Sequence, residues 1–328
     1  IGVNFTAAHG QYTTLFGNFT TSNNTVVYTL TGATSGGTNI HNNGGPNTPI
    51  IANYNITGPT ITIGANNTVN ALTFSANNSL TINATGSLTV QAGNLTVQSG
   101  SSVVSGGTLL APAGLNKDGG GELDFTNNVV VTGTAAVNAG LLSVNGQLQA
   151  TDGVVVNPAA TLGGSGLIVG NVNINGGNLS PGNSPGTLTT GNMTWNGGGI
   201  YNWELSSANG TDGTDWDLIS STGNLTIGAN STNRFTIAAS TTNASGFNPN
   251  VRSSSWKIAD FAGGIVGFSA DAFTINATGF QNLPAIYAFG ISSNGTALNF
   301  TYGTVATWIQ GTGNWTDTTN WQAGFPAI

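Results

Sequence analysis

The chain has 328 residues, with 4 Lys or Arg, 11 Asp or Glu and 2 His, which give a formal net charge of −7. Only 5% of the residues are charged, against about 25% in an average soluble domain. Four cations are too few to neutralise a run of phosphates, so the composition excludes nucleic acid as the partner, and zero cysteines exclude disulfides and thiolate metal sites.

Residues 1–60 are the least regular part of the chain and are predicted to form an N-terminal β region or cap. They contain both histidines, His9 and His41. Two isolated histidines in an irregular segment are typical of surface or loop positions rather than of metal ligands. No stretch of the chain approaches the run of about 18 apolar residues that spans a bilayer, so no membrane insertion is predicted.

Residues 61–198 are predicted to form a parallel β-helix. Very short strands with an apolar–Thr–apolar pattern follow one another at short, regular intervals, beginning with Leu72-Thr-Phe74, Leu80-Thr-Ile82, Leu88-Thr-Val90 and Leu95-Thr-Val97. This spacing is too short for ordinary hairpins and is typical of a solenoid with three strands per coil of roughly 20–24 residues. The apolar ends of each strand are expected to face inward and the central Thr outward.

Residues 199–306 carry longer alternating strands with aromatic residues, and the loops between them are longer than those of the preceding repeats. This texture predicts an antiparallel β-sandwich-like domain after the solenoid. The fold class is therefore all-β throughout, since no helical period appears anywhere in the chain. Its aromatic residues, Trp203 and Trp256 among them, are candidates either for the sandwich core or for sites where a sugar stacks on the ring.

Residues 307–328 form a third element, a Trp-rich tail. Three of the seven tryptophans, Trp308, Trp315 and Trp321, lie in it together with Phe325. A free tail does not normally carry so much apolar surface. The segment is therefore predicted to be either a docking tail or the start of a further module.

One stretch resembles a known family. The segments Leu115-Asn-Lys117-Asp-Gly119-Gly-Gly121-Glu-Leu123 and Val137-Asn-Ala-Gly140-Leu-Leu-Ser-Val144-Asn-Gly146 are similar to the autotransporter-associated β-strand repeat. Residues 162–172 and 179–188 are similar to segments of the same extracellular proteins. The resemblance implies a bacterial surface protein with a parallel β-helix passenger and no enzymatic activity of its own.

In multi-module proteins of this kind the Trp-rich segment tends to open a module, whereas here it closes the chain. Reading the end of the chain directly into its beginning gives a natural module start. One interpretation is that the tail of one copy, through Trp308, Trp315, Trp321 and Phe325, completes the head of the next around Val3, Phe5 and Phe16. The other is that the sequence is one piece of a longer tandem array, and the two are left open.

Two clusters of charged residues are candidates for a metal site or a catalytic site. Asp212, Asp215 and Asp217 are the best calcium candidate, because calcium takes six to eight oxygen ligands, but no EF-hand spacing follows and a structural turn is expected. Lys117, Asp118, Glu122 and Asp124 form the one mixed group, which a carbohydrate-active enzyme would need. Lys117 lies on the repeat pattern and the carboxylates flank inward Leu123, so no catalytic residue, no cofactor and no enzymatic activity are predicted.

Asn-x-Ser/Thr sequons, which can accept N-linked glycans in a suitable host, are abundant; Asn4, Asn18, Asn55, Asn83, Asn94, Asn224 and Asn276 are examples. The alternative is that Asn and Thr serve as uncharged turn and strand residues. The sequence predicts a secreted, cell-surface structural protein, a subunit of a filament or sheath whose partners are copies of itself. The second hypothesis is a monomeric autotransporter-like adhesin module that binds surface glycans or matrix.

Overall fold

The structure of the protein is a computed structural model that describes residues 19–22, 25–30, 52–56, 60–63, 67–245, 253–281, 287–304, 307–308, 312–313 and 321–322. It is nearly all-β, about 1% helical, and contains a parallel β-solenoid of about six turns. The predicted all-β class and parallel solenoid are therefore confirmed. The chain divides into two compact units, Ile1–Asn173 and Ile174–Ile328, while domain boundaries after residues 60, 198 and 306 stay predictions.

Strands make up almost all of the regular structure. In the first unit they are β1 Phe19–Ser22, β2 Thr25–Leu30, β3 Ala52–Ile56, β4 Thr60–Ile63, β5 Asn67–Phe74, β6 Ser79–Val97, β7 Ser101–Ala111, β8 Leu115–Asp118, β9 Glu122–Phe125, β10 Asn128–Val131, β11 Thr134–Val137, β12 Gly140–Val144, β13 Gln147–Ala150, β14 Gly153–Val156, β15 Ala160–Gly164 and β16 Leu167–Val169. Strand β17, Val172–Ile174, lies at the division between the units.

In the second unit the strands are β18 Asn178–Pro181, β19 Thr187–Thr190, β20 Met193–Trp195, β21 Ile200–Ser207, β22 Leu218–Ser221, β23 Asn224–Ile227, β24 Phe235–Ser245, β25 Ser253–Phe261, β26 Gly264–Val266, β27 Phe273–Gly279, β28 Tyr287–Ser293, β29 Ala297–Thr304, β30 Thr307–Trp308 and β31 Trp321–Gln322. A single 3₁₀ turn, Ala270–Ala272, accounts for the helical content of the described residues.

Apart from β1, which pairs antiparallel with β2, the described strands of the first unit form a three-sided stack of parallel strands. One side runs β3, β5, β6, β8, β11, β14, the second β4, β6, β7, β9, β12, β15, and the third β5, β6, β7, β10, β13, β16. The coil is shorter where Asn128 pairs with Gln147 than where Ser79 pairs with Val103. Three strands per coil is the arrangement that the strand spacing predicts.

Alternation decides which side chains fill the interior of the stack. In β9 Leu123 and Phe125 are buried, while Glu122 and Asp124, which alternate with them, are half-buried. In β10 Val129 and Val131 are buried in the same way. Because a strand turns successive side chains to opposite faces, every second position of each side adds one apolar layer to a continuous core.

Corners between the sides depend on glycine at particular positions. Gly119 has φ +79°, and a Cβ there would lie 2.1 Å from the carbonyl oxygen of Val97 in the preceding coil. Gly140 has φ +65°, and a Cβ would lie 2.3 Å from the carbonyl oxygen of Gly121. Both sites need left-handed backbone and close approach of two coils, which glycine alone combines without strain. This explains two of the glycines of the repeat pattern.

The second unit also builds parallel layers, but from longer segments. Asn178 pairs with Ile200, whereas Ile219 pairs with Ala259, nearly twice as far along the chain. Strands β21–β24, β22–β25, β23–β26 and β24–β27 all pair in parallel. The antiparallel sandwich predicted for residues 199–306 is thus not confirmed, because insertions lengthen the coils here without reversing most strands.

In the described part of this unit, antiparallel pairing between strands is confined to two places, apart from an isolated antiparallel bridge between Leu205 and Trp216. Strand β29 pairs antiparallel with β25 on one edge and with β28 on the other. Strands β30 and β31 form a separate two-stranded sheet in which Trp308 pairs with Trp321. The backbone of the predicted tail therefore includes a short hairpin-like pair.

A search of the described residues for membrane-spanning helices finds none of the length and apolar character needed.

Candidate functional site

Lys117 lies at the most unusual polar site of the first unit. It is fully buried, because it has the same parity in β8 as inward Leu115. Its Nζ donates to the backbone carbonyl oxygens of Asp118 at 3.2 Å, Gly119 at 3.0 Å, Gly121 at 2.9 Å and Ala139 at 2.9 Å. The first three belong to the glycine corner at the end of β8, and Ala139 belongs to the next coil.

This carbonyl cage explains why a lysine stands inside the stack. Burial lowers the pKa of the Lys117 ammonium to about 8, and the charge of Asp118 acts in the opposite direction. Three ammonium hydrogens are shared by four carbonyl groups. One of these groups, that of Gly121, also accepts the backbone N–H of Leu141 at 3.3 Å. The side chain thus joins two coils, and its buried amine has no open face toward a substrate.

Asp118, another member of the mixed charged group, forms hydrogen bonds on the outside of the stack. Asn138 Nδ2 donates to Asp118 Oδ1 at 3.0 Å, and Asn157 Nδ2 donates to Asn138 Oδ1 at 2.8 Å. Asp118 ends β8, and the two asparagines directly follow β11 and β14, so the side chains form a ladder across three coils. The arrangement stabilises the stacking of neighbouring corners.

A second ladder begins at Asp124. Its Oδ1 accepts a hydrogen bond from Asn145 Nδ2 at 2.8 Å, and Asn145 Oδ1 accepts one from Ser165. Burial raises the pKa of Asp124, the Asn145 hydrogen bond lowers it, and the charge of Glu122 raises it. Lys117 points into the core and Asp124 outward, so the geometry does not unite them as the acid–base group and cationic clamp of a carbohydrate-active enzyme.

The three aspartates that were the calcium candidate, with a structural turn expected instead, point toward different partners. Asp212 pairs with Lys257 Nζ at 2.9 Å, and the same Nζ lies 2.8 Å from Asp260. Asp215 Oδ2 accepts the backbone N–H of Thr211 at 2.8 Å, as in a structural turn. Among the residues that the structure describes, no group of three His, Cys, Asp or Glu is arranged to hold a metal ion.

Asp217 is the most buried carboxylate of the second unit, with 3% of its surface exposed. Its Oδ1 accepts the backbone N–H of Gly186 at 2.9 Å, and its Oδ2 accepts that of Glu204 at 3.0 Å. Burial raises the pKa of Asp217 to about 7, against the two backbone hydrogen bonds, and the charge of Glu204 adds to the rise. Asp217 therefore joins three chain segments from inside the core.

Several aromatic residues of the second unit lie in its core. Trp203 and Trp256 are 0% and 1% exposed, with ring centroids 6.0 Å apart. Phe300 lies 5.0 Å from Trp203, and Tyr302 stacks on Trp256 at 5.3 Å. A sugar-stacking role for Trp203 and Trp256 does not fit this packing, because side chains of the protein cover both rings.

A shallow depression lies on β25 and β29. It is lined by Ser254, Ser255, Thr301, Tyr302 and Gly303. Tyr302 is 4% exposed, so hydroxyl groups rather than an aromatic face present themselves to solvent there. Without a charged group or an open ring, the depression offers little chemistry for a specific ligand.

Most of the predicted docking residues lie outside the part of the chain that the structure describes. Val3, Phe5, Phe16, Trp315 and Phe325, like His9 and His41, lie outside the described residues. Trp308 and Trp321 lie in β30 and β31, whose backbones pair. The structural roles of Lys117 and Asp217 were missed from the sequence, although the shared parity of Leu115 and Lys117 was a signal for the first.

Comparison of the chain with protein-family models and with curated proteins finds no match in either set.

Proposed function

We propose that this chain is a non-enzymatic extracellular structural protein, similar to the passengers of autotransporter-associated repeat proteins, and a subunit of a self-assembling surface filament or sheath. The observation that carries the proposal is the parallel stack of coils in residues 67–169, whose interior is filled by side chains and locked by Lys117. Such a stack serves as a rigid support.

The two ends of a parallel stack are different surfaces. A contact that continues the stack from one copy to the next is therefore head-to-tail, and a head-to-tail contact that does not close produces an open fibre. In the proposal the tail residues Trp308, Trp315, Trp321 and Phe325 dock on the neighbour's N-terminal region around Val3, Phe5 and Phe16. The antiparallel pairing of Trp308 with Trp321 supports a tail that forms a small element of its own.

Electron microscopy and light scattering on the full chain test assembly directly. We expect filaments with one subunit per axial repeat, and we expect a chain lacking residues 307–328 to stay monomeric. The deletion should leave the β-rich circular dichroism spectrum and the cooperative unfolding transition unchanged, because the tail strands pair with each other in a separate sheet.

A full-length chain with Trp308, Trp315 and Trp321 replaced by Ala is the matched control, since it keeps the backbone and removes the apolar side chains. It should behave as the deletion does. Filaments that persist unchanged in the deletion would show that the tail is not the contact. A full chain that stays monomeric at all concentrations would overturn the assembly proposal and favour the monomeric adhesin module instead.

A further inference from the structure

Three sequons of the second unit share one local geometry. They are Asn230-Ser-Thr232, Asn276-Ala-Thr278 and Asn294-Gly-Thr296. In each, the Oδ1 of the asparagine accepts hydrogen bonds from both the backbone N–H and the hydroxyl of its own sequon threonine. All three asparagines are exposed.

These hydrogen bonds determine which way each side-chain amide points. A backbone N–H can only donate, so the atom that faces it must be the oxygen rather than the nitrogen of the amide. The donors to Oδ1 are Thr232 N at 2.9 Å for Asn230, Thr278 N at 3.2 Å for Asn276 and Thr296 N at 3.1 Å for Asn294. The Nδ2 groups therefore point away from the turn, and none of the described residues accepts a hydrogen bond from them.

The backbone around these sites is also open to an approaching enzyme. Asn230 and Asn294 lie in turns, outside the strands. Asn276 lies near the end of β27, where its backbone pairs with Ala238 of β24 and, among the described residues, on that side only. The turn in which Phe280 N donates to the carbonyl of Ala277 follows directly. Asn294 is further fixed by Ala297 N at 2.7 Å, so its turn is ordered as well as exposed.

The sequon Asn94-Leu-Thr96 provides the contrast. Asn94 lies within β6, where its backbone pairs with Ala71 in the preceding coil and with Asn116 in the following one. Its Oδ1 accepts from Asn116 Nδ2 at 3.0 Å. This amide belongs to the stacking of the coils, and a transferase cannot lift it from the sheet without opening three strands.

From this geometry we infer that Asn230, Asn276 and Asn294 are N-glycan acceptors of the folded protein. The donor is a sugar activated as a diphosphate ester, and a separate N-glycosyltransferase supplies the catalysis. Nδ2 attacks the anomeric carbon, the new C–N bond forms as the C–O bond to the diphosphate breaks, the diphosphate leaves as the anion, and a base of the transferase takes the amide proton.

Glycosylation of these three asparagines on the protein surface does not depend on filament formation. The chain has only 15 charged residues, the sum of 4 cationic and 11 anionic ones. Glycans at three sites of the second unit would add hydrated, uncharged bulk to that unit while leaving the ladders of the first unit bare. Self-assembly and glycosylation are measured separately, so one can fail without the other.

Mass spectrometry of glycopeptides from the native protein tests the inference. We expect hexose-bearing peptides that contain Asn230, Asn276 and Asn294, and an unmodified peptide that contains Asn94. A second measurement incubates the folded chain with a purified N-glycosyltransferase and a nucleoside-diphosphate hexose. Rapid labelling is expected at Asn230, Asn276 and Asn294, and labelling at Asn94, whose backbone pairs on both sides, only after denaturation.

Substitution of a sequon threonine identifies each glycosylation site individually, because the change is confined to an exposed side chain. Thr278→Val should remove the sugar at Asn276 and leave the other two sites occupied, whereas Thr278→Ser, which keeps the hydroxyl, should retain it. Native protein without sugar at all three sites would overturn the inference. So would labelling of Asn94 in the folded chain as fast as that of Asn230, Asn276 and Asn294, because pairing of the backbone on both sides would then make no difference.

Discussion

Two buried tryptophans of the second unit differ in the partner of the indole nitrogen. Trp203 Nε1 donates to the carbonyl oxygen of Asp217 at 2.9 Å. Trp195 Nε1 is buried and has no hydrogen-bond partner among the described residues, although its ring stacks on Phe235 at a centroid distance of 4.7 Å. Both side chains are fully buried. The two tryptophans are therefore comparably packed but differ in the hydrogen bonding of the indole N–H.

Replacing each tryptophan by Phe should separate these two contributions. Both variants lose the same volume, but Trp203→Phe also leaves the Asp217 carbonyl without its donor, whereas Trp195→Phe removes an unsatisfied N–H. We expect the free energy of unfolding to fall by about 1–3 kcal/mol more for Trp203→Phe than for Trp195→Phe. Urea titration followed by circular dichroism measures the difference; an equal loss would mean that Trp195 Nε1 is satisfied in solution.

At the scale of the element, Lys117 sets how one coil is joined to the next. Its four carbonyl partners come from a corner of its own coil and from Ala139 of the following coil. Removing a buried charge together with its partners is often neutral, but here the carbonyl groups would remain. The cost of losing the ammonium is therefore the cost of leaving buried acceptors without it, although the carbonyl of Gly121 keeps the N–H of Leu141.

Lys117→Met should destabilise the fold strongly for this reason. We expect a loss of about 3 kcal/mol or more in the free energy of unfolding. The matched control is Lys257→Met: the Lys257 side chain is 35% exposed and pairs with Asp212 and Asp260, and its loss should cost no more than about 1 kcal/mol. Equal losses in thermal and urea unfolding would contradict the assigned role of the carbonyl cage.

The first unit was the more predictable of the two because its pattern is local. Apolar residues two positions apart, such as Leu123 and Phe125, indicate one inward face per strand, and their regular spacing indicates the coil length. Strand direction has no such local signature. Alternation in β21 and β24 is compatible with either direction, so the longer loops suggested hairpins where the structure has wider parallel coils.

Side-chain partners were the least predictable feature of the candidate site. Asp212, Asp215 and Asp217 lie close together in the sequence. In the structure Asp217 is buried in the core, whereas Asp212 forms an ion pair with Lys257, a residue of β25. That contact joins two residues that lie far apart in the chain. A contact between residues so far apart cannot be predicted from the spacing of the aspartates in the sequence, because it depends on how many residues each enlarged coil contains.

At the scale of the whole molecule, the shortage of charge has a consequence for assembly. Fifteen charged residues, 4 cationic and 11 anionic, give a net charge of −7 over 328 residues. Repulsion between copies is therefore weak and is further screened at physiological salt. If copies associate as proposed, specific contact at the ends of the coil stack rather than electrostatic attraction is expected to direct the association.

Fibre diffraction distinguishes the two ways in which such copies could associate. In the parallel stack of residues 67–169, neighbouring coils are separated by the strand spacing of about 4.8 Å along the local axis. Head-to-tail assembly aligns that axis with the filament, so aligned filaments should give a reflection at about 4.8 Å on the meridian. Side-by-side assembly would place it on the equator, and that result would contradict docking through the ends. Filaments grown from the Lys257→Met variant provide the control, since that change leaves the coils of the first unit intact and should keep the reflection where it is.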